Sequence, residues 1–222
     1  GISEETAKRF GVRILVDGDG LPTHHYYPYY IDNEDVAHKV RHVNTKHFSW
    51  VGPATDTGLF GQQIARDGGK YITVTEGECD AMAAYELLGS KWPVVSIKNG
   101  AGSAERDVKN QIEFLERFDN IVICFDSDKP GREAAKAAAR LLKPNKAKIM
   151  IMPEGFKDAN DMLRKSSHAL FVGAWWNAKT YTPSGVLNIS QNKEKFHNRV
   201  KKESIPYPWE GLNRKLEGLR QG

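Results

Sequence analysis

The sequence has few cysteines. Only two occur among its 222 residues, Cys79 and Cys124, and both lie in or beside apolar stretches. Cysteines in such surroundings are typically buried reduced thiols rather than parts of a disulfide framework. A zinc site built from cysteines is therefore excluded within this sequence, and reduced thiols favour a cytoplasmic location.

The sequence also lacks a long apolar run. No stretch approaches the roughly 18 apolar residues of a membrane-spanning helix. The first ten residues, GISEETAKRF, contain no apolar signal-peptide core. We therefore expect no membrane association. Hydrophobic residues make up 40% of the chain, which is enough for the core of one large domain or two small ones.

Two nucleotide-binding motifs are missing as well. No GxxxxGK[ST] occurs, and the glycine-rich loop NGAGSA at residues 99–104 lacks the full dinucleotide fingerprint. By itself this loop is only a weak signal for phosphate contact. The absences exclude a P-loop ATPase and argue against a dinucleotide-dependent dehydrogenase.

The excess of positive charge is confined to one end of the chain. The net charge is +4, and residues 185–222 hold 8 Lys and Arg against 4 Asp and Glu, whereas residues 1–184 hold 24 of each sign. A neutral body that places acids at predicted strand ends suits a phosphate-handling enzyme better than a nonspecific DNA coat.

Two apolar stretches with the composition of strands stop abruptly at carboxylates. The first, KYITVTEGECD at residues 70–80, reaches its first acid at Glu76, and the second, IVICFDSD at residues 121–128, ends in Asp126 and Asp128. Because the carboxyl ends of parallel strands face the same crevice, we expect these acids to meet there.

The elements after residue 69 alternate between predicted strands and helices. The strands are at 70–75, 93–98, 120–125 and 147–152, and the helices are at 77–88, 104–117, 130–142 and 159–165. This order predicts a parallel α/β sheet with helices on both faces. Residues 52–69 are rich in glycine and polar residues, so we place a boundary there, after a small mixed α+β subdomain.

The acids at the strand ends are typical of a site for Mg²⁺ or Mn²⁺. A hard divalent cation takes oxygen ligands and often shares substrate phosphates with a few carboxylates. Asp80, about one helical turn after Glu76, and Asp158, at the exit of the next strand, extend the set. Alternatively, Asp126 and Asp128 only cap the following helix, but a cap needs one acid and here several converge. A metal site is the favoured interpretation.

A basic strand lies in the first third of the chain. In VAHKVRHV at residues 36–43, Lys39 and Arg41 share one face, and Lys46 follows shortly after. These cations either hold a triphosphate or template backbone or form a solvated strand face, and spacing alone slightly favours the second reading. A metal site built from the histidines near this strand is rejected, because no cysteine or carboxylate completes it.

Three segments resemble a known signature. EGECD at 76–80, FDSDKPGREAA at 125–135 and FKDAND at 156–161 resemble the TOPRIM domain, which has a Glu after one strand, a DxD after another, and further acids. The order of GISEET, KVR with a following Lys, VTEGE, FDSDKPGR and KDAN resembles, more specifically, the primase half of bacteriophage primase-helicases, relatives of the mitochondrial helicase Twinkle.

The resemblance implies a DNA primase, an RNA polymerase that makes short RNA primers from NTPs on a single-stranded DNA template. It implies that Asp126 and Asp128 hold Mg²⁺ (or Mn²⁺) and that Glu76 is a ligand or a base, with Asp80 and Asp158 as further ligands. The residues implied to bind nucleotide or template are Lys39, Arg41 and Lys46, with Lys98 and Lys157 as weaker candidates. The resemblance thereby reverses the preference for a solvated strand face.

The resemblance also implies a domain order. We expect an N-terminal primase subdomain at 1–67, a TOPRIM domain with a parallel sheet at 68–166, a C-terminal helical segment at 167–187, and at 188–222 a linker helix and the start of a helicase domain. The family's zinc-binding module and helicase motor are not expected within this sequence. Partners would be the helicase domain of the same polypeptide and neighbouring subunits, in the cytoplasm of an infected host cell.

Two rival functions share these features. A TOPRIM nuclease needs the same metal but uses water as its nucleophile. A nonenzymatic module that only binds single-stranded DNA is expected where a family member has lost its acids. Because Glu76, Asp126 and Asp128 are all present, the second rival is disfavoured.

Overall fold

The computed structural model describes residues 1–65, 67–183 and 205–216. The chain divides into two compact units, Gly1–Tyr181 and Thr182–Gly222. The first unit holds two sheets and the helices that cover them. Of residues 188–222, predicted to hold a linker helix and the start of a helicase domain, residues 188–204 lie outside the described residues.

The helices and strands are named in chain order. They are α1 Glu4–Arg9, β1 Arg13–Val16, β2 Pro22–Ile31, β3 Glu34–His42, β4 Phe48–Val51, β5 Gly69–Thr75, α2 Glu78–Leu87, β6 Val94–Ser96, α3 Ala104–Asn110, α4 Ile112–Leu115, β7 Phe118–Cys124, α5 Lys129–Leu141, β8 Ala147–Ile149, α6 Ala159–Arg164, α7 His168–Trp176, β9 Lys179–Thr180 and, in the second unit, α8 Glu210–Leu216. Within the described parts of the chain, no helix has the length and apolarity to cross a membrane.

The first sheet is antiparallel, with the strand order β1-β2-β3-β4. Asp32 and Asn33 connect β2 to β3 with φ angles of 48° and 68°, the left-handed conformation that a tight two-residue hairpin requires. Tyr27 and Tyr29 on β2 are at most 1% exposed. This face of the sheet is therefore buried against the rest of the unit.

The second sheet has the strand order β6-β5-β7-β8-β9. Strands β5 to β8 pair in parallel, as predicted, whereas the short edge strand β9 runs antiparallel to β8. The sheet is therefore mixed rather than purely parallel. The predicted α/β class, with parallel strands and helices on both faces, is confirmed.

Two separate cores lie on the two faces of this sheet. One contains buried residues of α2, α6 and α7 and extends to Tyr27 and Tyr29 of the first sheet. The other contains the alanines of α5 together with residues of α3 and α4. Since the first core spans both sheets, they form a single packed unit around the carboxyl ends of β5 and β7.

Some predicted bounds differ from the structure. The helix predicted at 104–117 is interrupted at Gln111, where φ is −117°, and appears as α3 and α4. The segment predicted to be helical at 167–187 contains α7 but then forms β9. The division of the chain at residue 67 stays a prediction.

Candidate metal centre and active site

The carboxyl ends of two adjacent strands form the site. Strands β5 and β7 pair in parallel with Thr75 opposite Cys124. Glu76 follows Thr75 directly, and Asp126 lies two residues beyond Cys124. The sheet register therefore brings Glu76 and Asp126 to the same edge, as the strand patterns predict.

Glu76 is held by the glycine-rich loop. Its Oε1 atom accepts a hydrogen bond of 3.1 Å from the backbone N–H of Ala101. Gly100 has a φ of 68°, a conformation that suits glycine and allows this approach. The other carboxylate oxygen, Oε2, is buried and has no hydrogen-bond partner. Burial, and after it the charge of Asp126, raises the pKa of Glu76 above its usual range.

Asp126 faces one exposed lysine. Its Oδ2 atom lies 3.0 Å from Nζ of Lys157, whose side chain is 61% exposed. Burial raises the pKa of Asp126, and Lys157 offsets part of this effect. Helix α5 starts close beside Asp126, since a Cβ atom on Gly131 would lie 2.5 Å from the Asp126 carbonyl oxygen. A glycine at position 131 is therefore required for this approach.

Asp128 caps the N-terminus of α5, and Asp158 caps the N-terminus of α6. Capping is the alternative role that the sequence allows for Asp128. Asp128 Oδ1 accepts from the N–H of Gly131 at 2.9 Å, and Asp158 Oδ1 accepts from the N–H of Asp161 at 2.7 Å. Each cap uses one oxygen of the carboxylate. The charge of Asp128 also raises the pKa of Asp126. Asp128 therefore caps α5 and interacts electrostatically with Asp126 at the same time.

Asp80 contacts the first turn of α6. Its Oδ1 atom accepts a hydrogen bond of 3.1 Å from the N–H of Asn160. Burial, and after it the charges of Asp158, Asp126 and Glu76, holds its pKa well above the usual range. The acids at the strand ends thus form one electrostatically linked cluster.

The acid cluster fits a divalent cation with few protein ligands. Within residues 1–65, 67–183 and 205–216, no three His, Cys, Asp or Glu side chains are placed to hold a metal ion together. Mg²⁺ usually keeps several waters and takes only one or two carboxylates plus substrate phosphates. Such a cation would pair with the buried Oε2 atom of Glu76, which has no hydrogen-bond partner. It would also reduce the repulsion between Glu76 and the neighbouring carboxylates.

Lys39 is buried rather than presented to solvent. Its Nζ atom donates to Oε1 of Glu78 at 2.8 Å and to the carbonyl oxygen of Lys98 at 2.6 Å. Tyr29 donates its hydroxyl to the same Glu78 oxygen at 2.6 Å. The strand alternation predicts the shared face of Lys39 and Arg41, but the sequence does not reveal that Glu78 is the partner. Lys39 therefore positions Glu78 at the start of α2.

The other predicted cations have different environments. The guanidinium of Arg41 lies 3.8 Å from Sγ of Cys79. Along the chain, Cys79 stands between Glu78 and Asp80. Lys46 is exposed in the turn after β3, with a φ of 56°. The structure thus brings Arg41, but not Lys46, to the first turn of α2.

Lys98 anchors a loop. Its ammonium group donates to the carbonyl oxygens of Ala54, Thr55 and Thr57 at 3.1, 3.1 and 2.8 Å. Burial lowers the pKa of Lys98. Because the hydrogens of this ammonium group are engaged by the protein itself, we do not propose Lys98 as a nucleotide ligand.

Asp107 anchors the glycine-rich loop through hydrogen bonds. The sequence patterns do not predict this role. It is fully buried, and its Oδ2 atom accepts from the N–H of Lys98 and from the hydroxyl of Ser103, both at 2.8 Å. The one signal that could have indicated it is the spacing of Ser103 and Asp107, four residues apart on one helical face. Asp107 thereby fixes the loop that contacts Glu76.

The architecture and the position of the acids define a Toprim-type domain. Residues 73–163 match the family model described as Toprim-like. This range includes Glu76, Asp126, Asp128 and Asp158. It does not include the first sheet, so relatives of greater length are needed to define the family.

Three relatives extend the comparison beyond the Toprim range. A DNA helicase/primase of Enterobacteria phage T3 is 31% identical over 227 residues, which cover 100% of this chain and 39% of that protein. The primase domains in a structure of the bacteriophage T7 lagging-strand DNA polymerase are 34% identical, with a TM-score of 0.73 and coverage of 82% of this chain and 90% of that one. The primase fragment of the bacteriophage T7 primase-helicase is 34% identical, with a TM-score of 0.70, and the match covers 79% of this chain and 71% of the fragment.

The chain belongs to the family of primase domains found in bacteriophage primase-helicases. It spans 39% of the length of the T3 protein. Toprim and primase proteins are generally metal-dependent, which agrees with the acid cluster described above.

Proposed function

We propose that this chain is the DNA primase domain of a replicative primase-helicase, and that it synthesises short RNA primers on single-stranded DNA. The observation that carries the proposal is the buried, unpartnered Oε2 of Glu76 beside Asp126 at the ends of two parallel strands. An acceptor in this position calls for a cation or a proton.

Primer synthesis is an in-line displacement at phosphorus. The 3′-hydroxyl oxygen of the growing RNA attacks the α-phosphorus of an NTP, the bond to the β-phosphate bridging oxygen breaks, and pyrophosphate leaves with the electron pair. The hydroxyl proton is lost in the same step. Negative charge builds on phosphate oxygens, so cationic groups lower the barrier without any covalent enzyme intermediate.

Of the predicted ligands Glu76, Asp126 and Asp128, we assign Glu76 and Asp126 as the direct carboxylate ligands, and Asp128, Asp80 and Asp158 as supporting acids. Bound Mg²⁺, or Mn²⁺ in its place, would supply Lewis-acid stabilisation of the phosphate oxygens. Glu76 uses its unpartnered Oε2 atom either as a metal ligand or, where Asp126 alone holds the cation, as the acceptor for the hydroxyl proton.

Two cations are the candidates for substrate phosphates. Lys157 is 61% exposed and lies 3.0 Å from Asp126, so a triphosphate that approaches Asp126 also approaches its ammonium group. Arg41 lies beside Cys79 at the start of α2. Lys46, exposed in the turn after β3, remains a candidate for template backbone only.

The ligands of a relative indicate the partners. The T7 structure contains primase domains bound to an RNA/DNA hybrid and dTTP. By this relationship we propose single-stranded DNA, NTPs and the RNA primer as ligands of this chain. The helicase domain of the same polypeptide and neighbouring subunits are the proposed protein partners, in the cytoplasm of an infected host cell.

Extension of an annealed oligoribonucleotide tests the proposal. The chain is incubated with single-stranded DNA carrying this primer, Mg²⁺ and NTPs, and labelled RNA and DNA are resolved by size. We expect metal-dependent lengthening of the RNA. Shortening of either strand without lengthening would instead identify a nuclease, and binding without either reaction would identify a nonenzymatic module.

A further inference from the structure

Phe48 is a large aromatic residue that stays partly open to solvent near the acid cluster. It begins β4 and is 44% exposed. In the register of β3 and β4, Phe48 lies opposite Arg41 and Trp50 lies opposite Lys39. Since directly opposed residues share a face, Phe48 is on the sheet face that carries Lys39 and Arg41.

Two cations fix the position of the Phe48 ring. Nζ of Lys39 lies 4.7 Å from the ring centroid, and the guanidinium carbon of Arg41 lies 5.9 Å from it. Lys39 is itself bound to Glu78, and Arg41 contacts Cys79. The ring is therefore held against the two side chains that contact the first turn of α2, by cation–π attraction as well as by packing.

The neighbouring aromatic on the same face contacts the glycine-rich loop. Trp50 donates its Nε1–H to Oδ1 of Asn99 at 3.2 Å. Two residues further along this loop, Ala101 donates to Glu76. Trp50 thus links the sheet face that carries Phe48 to the loop that positions Glu76.

Val51 shows that exposure alone does not distinguish Phe48. It lies on the same strand and is 56% exposed, but it pairs with His38 on the opposite face. Single exposed apolar residues are ordinary on protein surfaces. What sets Phe48 apart is an aromatic ring, flanked by two cations, on the face whose cations contact the first turn of α2.

We propose that Phe48 stacks on a nucleobase whose phosphates lie at the acid cluster. A nucleotide bound there by its phosphates extends its base away from the acids, and an open aromatic ring stacks on any base because every base has a π-face. The base belongs either to the template strand or to the incoming nucleotide. This assignment of a base-binding position rests on the proposed primase function.

Base-dependent binding tests the proposal without requiring catalysis. Fluorescence anisotropy compares the affinity of the chain for a fluorescein-labelled oligothymidylate with its affinity for an abasic oligomer of equal length. Calorimetry in Mg²⁺ compares ATP with inorganic tripolyphosphate, which has the phosphates but no base. The variants are Phe48→Ala, Phe48→Leu, which keeps an apolar side chain, and Phe48→Tyr, which keeps the ring. Val51→Ala is the matched control.

Two affinity ratios are compared: oligothymidylate over the abasic oligomer, and ATP over tripolyphosphate. We expect one of them to fall about tenfold in Phe48→Ala and Phe48→Leu and to be retained in Phe48→Tyr and Val51→Ala. A fall in the oligonucleotide ratio assigns the base to the template, and a fall in the triphosphate ratio assigns it to the nucleotide. If both ratios stay within about twofold of the original in folded Phe48→Leu, the proposal is overturned. Both measurements are of binding at equilibrium. They therefore decide the role of Phe48 even if the chain does not extend a primer.

Discussion

Lys39 and Glu78 form a buried ion pair that joins the first sheet to helix α2. Nζ lies 2.8 Å from Oε1, and the two side chains are only 8% and 4% exposed. The pair connects a strand of the first sheet to the helix that begins beside the acid cluster. Removing one partner would leave the other charge buried, which is far more costly than losing a surface pair.

Replacing Lys39 with methionine should destabilise the fold by about 3 kcal/mol, because Glu78 would stay buried without its cation. Urea unfolding followed by circular dichroism measures this change. The double variant Lys39→Met/Glu78→Gln should recover part of the loss, since no uncompensated charge remains. Lys46→Met, at an exposed turn position, should change stability by less than about 0.5 kcal/mol. Equal effects at positions 39 and 46 would contradict the buried pair.

Mg²⁺ should raise the melting temperature of the chain. Without metal, the carboxylates of Glu76 and Asp126 repel one another, and a cation bound only by the folded state stabilises it by mass action. Differential scanning fluorimetry with and without Mg²⁺ measures the shift. Asp126→Ala should remove most of it, whereas Asp119→Ala, at an exposed position in the same strand, should retain it. An unchanged shift in Asp126→Ala would mean that the cation binds elsewhere.

Asp80 should make the metal-free protein less stable as pH rises above the ordinary carboxyl pKa. Asp80 has a folded pKa well above the ordinary value of about 3.9. The folded state then holds its proton more tightly than the unfolded state, so stability is greatest at low pH and falls as pH rises through the folded pKa. Asp80→Asn keeps an oxygen for the Asn160 N–H but carries no charge, and it should flatten this decline.

Urea unfolding in EDTA between about pH 4.5 and 8 gives the two curves. The lowered pKa values of His25, Glu86, Glu116 and Asp161 act in the opposite direction, but they are common to both proteins and cancel in their difference. Parallel curves for the original chain and Asp80→Asn would show that Asp80 does not contribute this effect.

Gly131→Ala should be strongly destabilising, because its Cβ atom would lie 2.5 Å from the backbone oxygen of Asp126. Overpacking of this kind costs about 1–3 kcal/mol, and relief requires the start of α5 to move away from Asp126. Gly102→Ala is the control, since nothing lies within 4 Å of the position that its Cβ atom would take and its φ is not in the left-handed range. Similar unfolding midpoints for the two variants would contradict the close approach of α5.

Local patterns were sufficient to predict the acid cluster. Apolar runs that end in Glu76 and Asp126 identify strand ends, and the parallel order of strands places those ends together. The contacts of Lys39 and Lys98 were not predictable in this way. Glu78 is 39 positions from Lys39 along the sequence, and the carbonyl partners of Lys98 lie in a loop more than forty positions earlier. Such pairings depend on how the two sheets pack, which no local pattern specifies.

The antiparallel edge strand was missed for a related reason. Strand β9 has only two residues, Lys179 and Thr180, and both are exposed. Neither an apolar run nor an alternating pattern marks so short a strand. Its direction follows from the path of the chain after α7.

We propose that the acids at the ends of β5 and β7 carry out nucleotidyl transfer. The most direct test of this proposal is the rate of Mg²⁺-dependent addition of a single nucleotide to an annealed oligoribonucleotide, measured for the original chain, Asp126→Asn and Asp119→Asn. We expect the rate to fall at least about a hundredfold in Asp126→Asn, the scale seen when an electrostatic stabiliser of a transition state is removed, and to stay near the original in Asp119→Asn. If folded Asp126→Asn adds nucleotides at the original rate, Asp126 takes no part in the reaction.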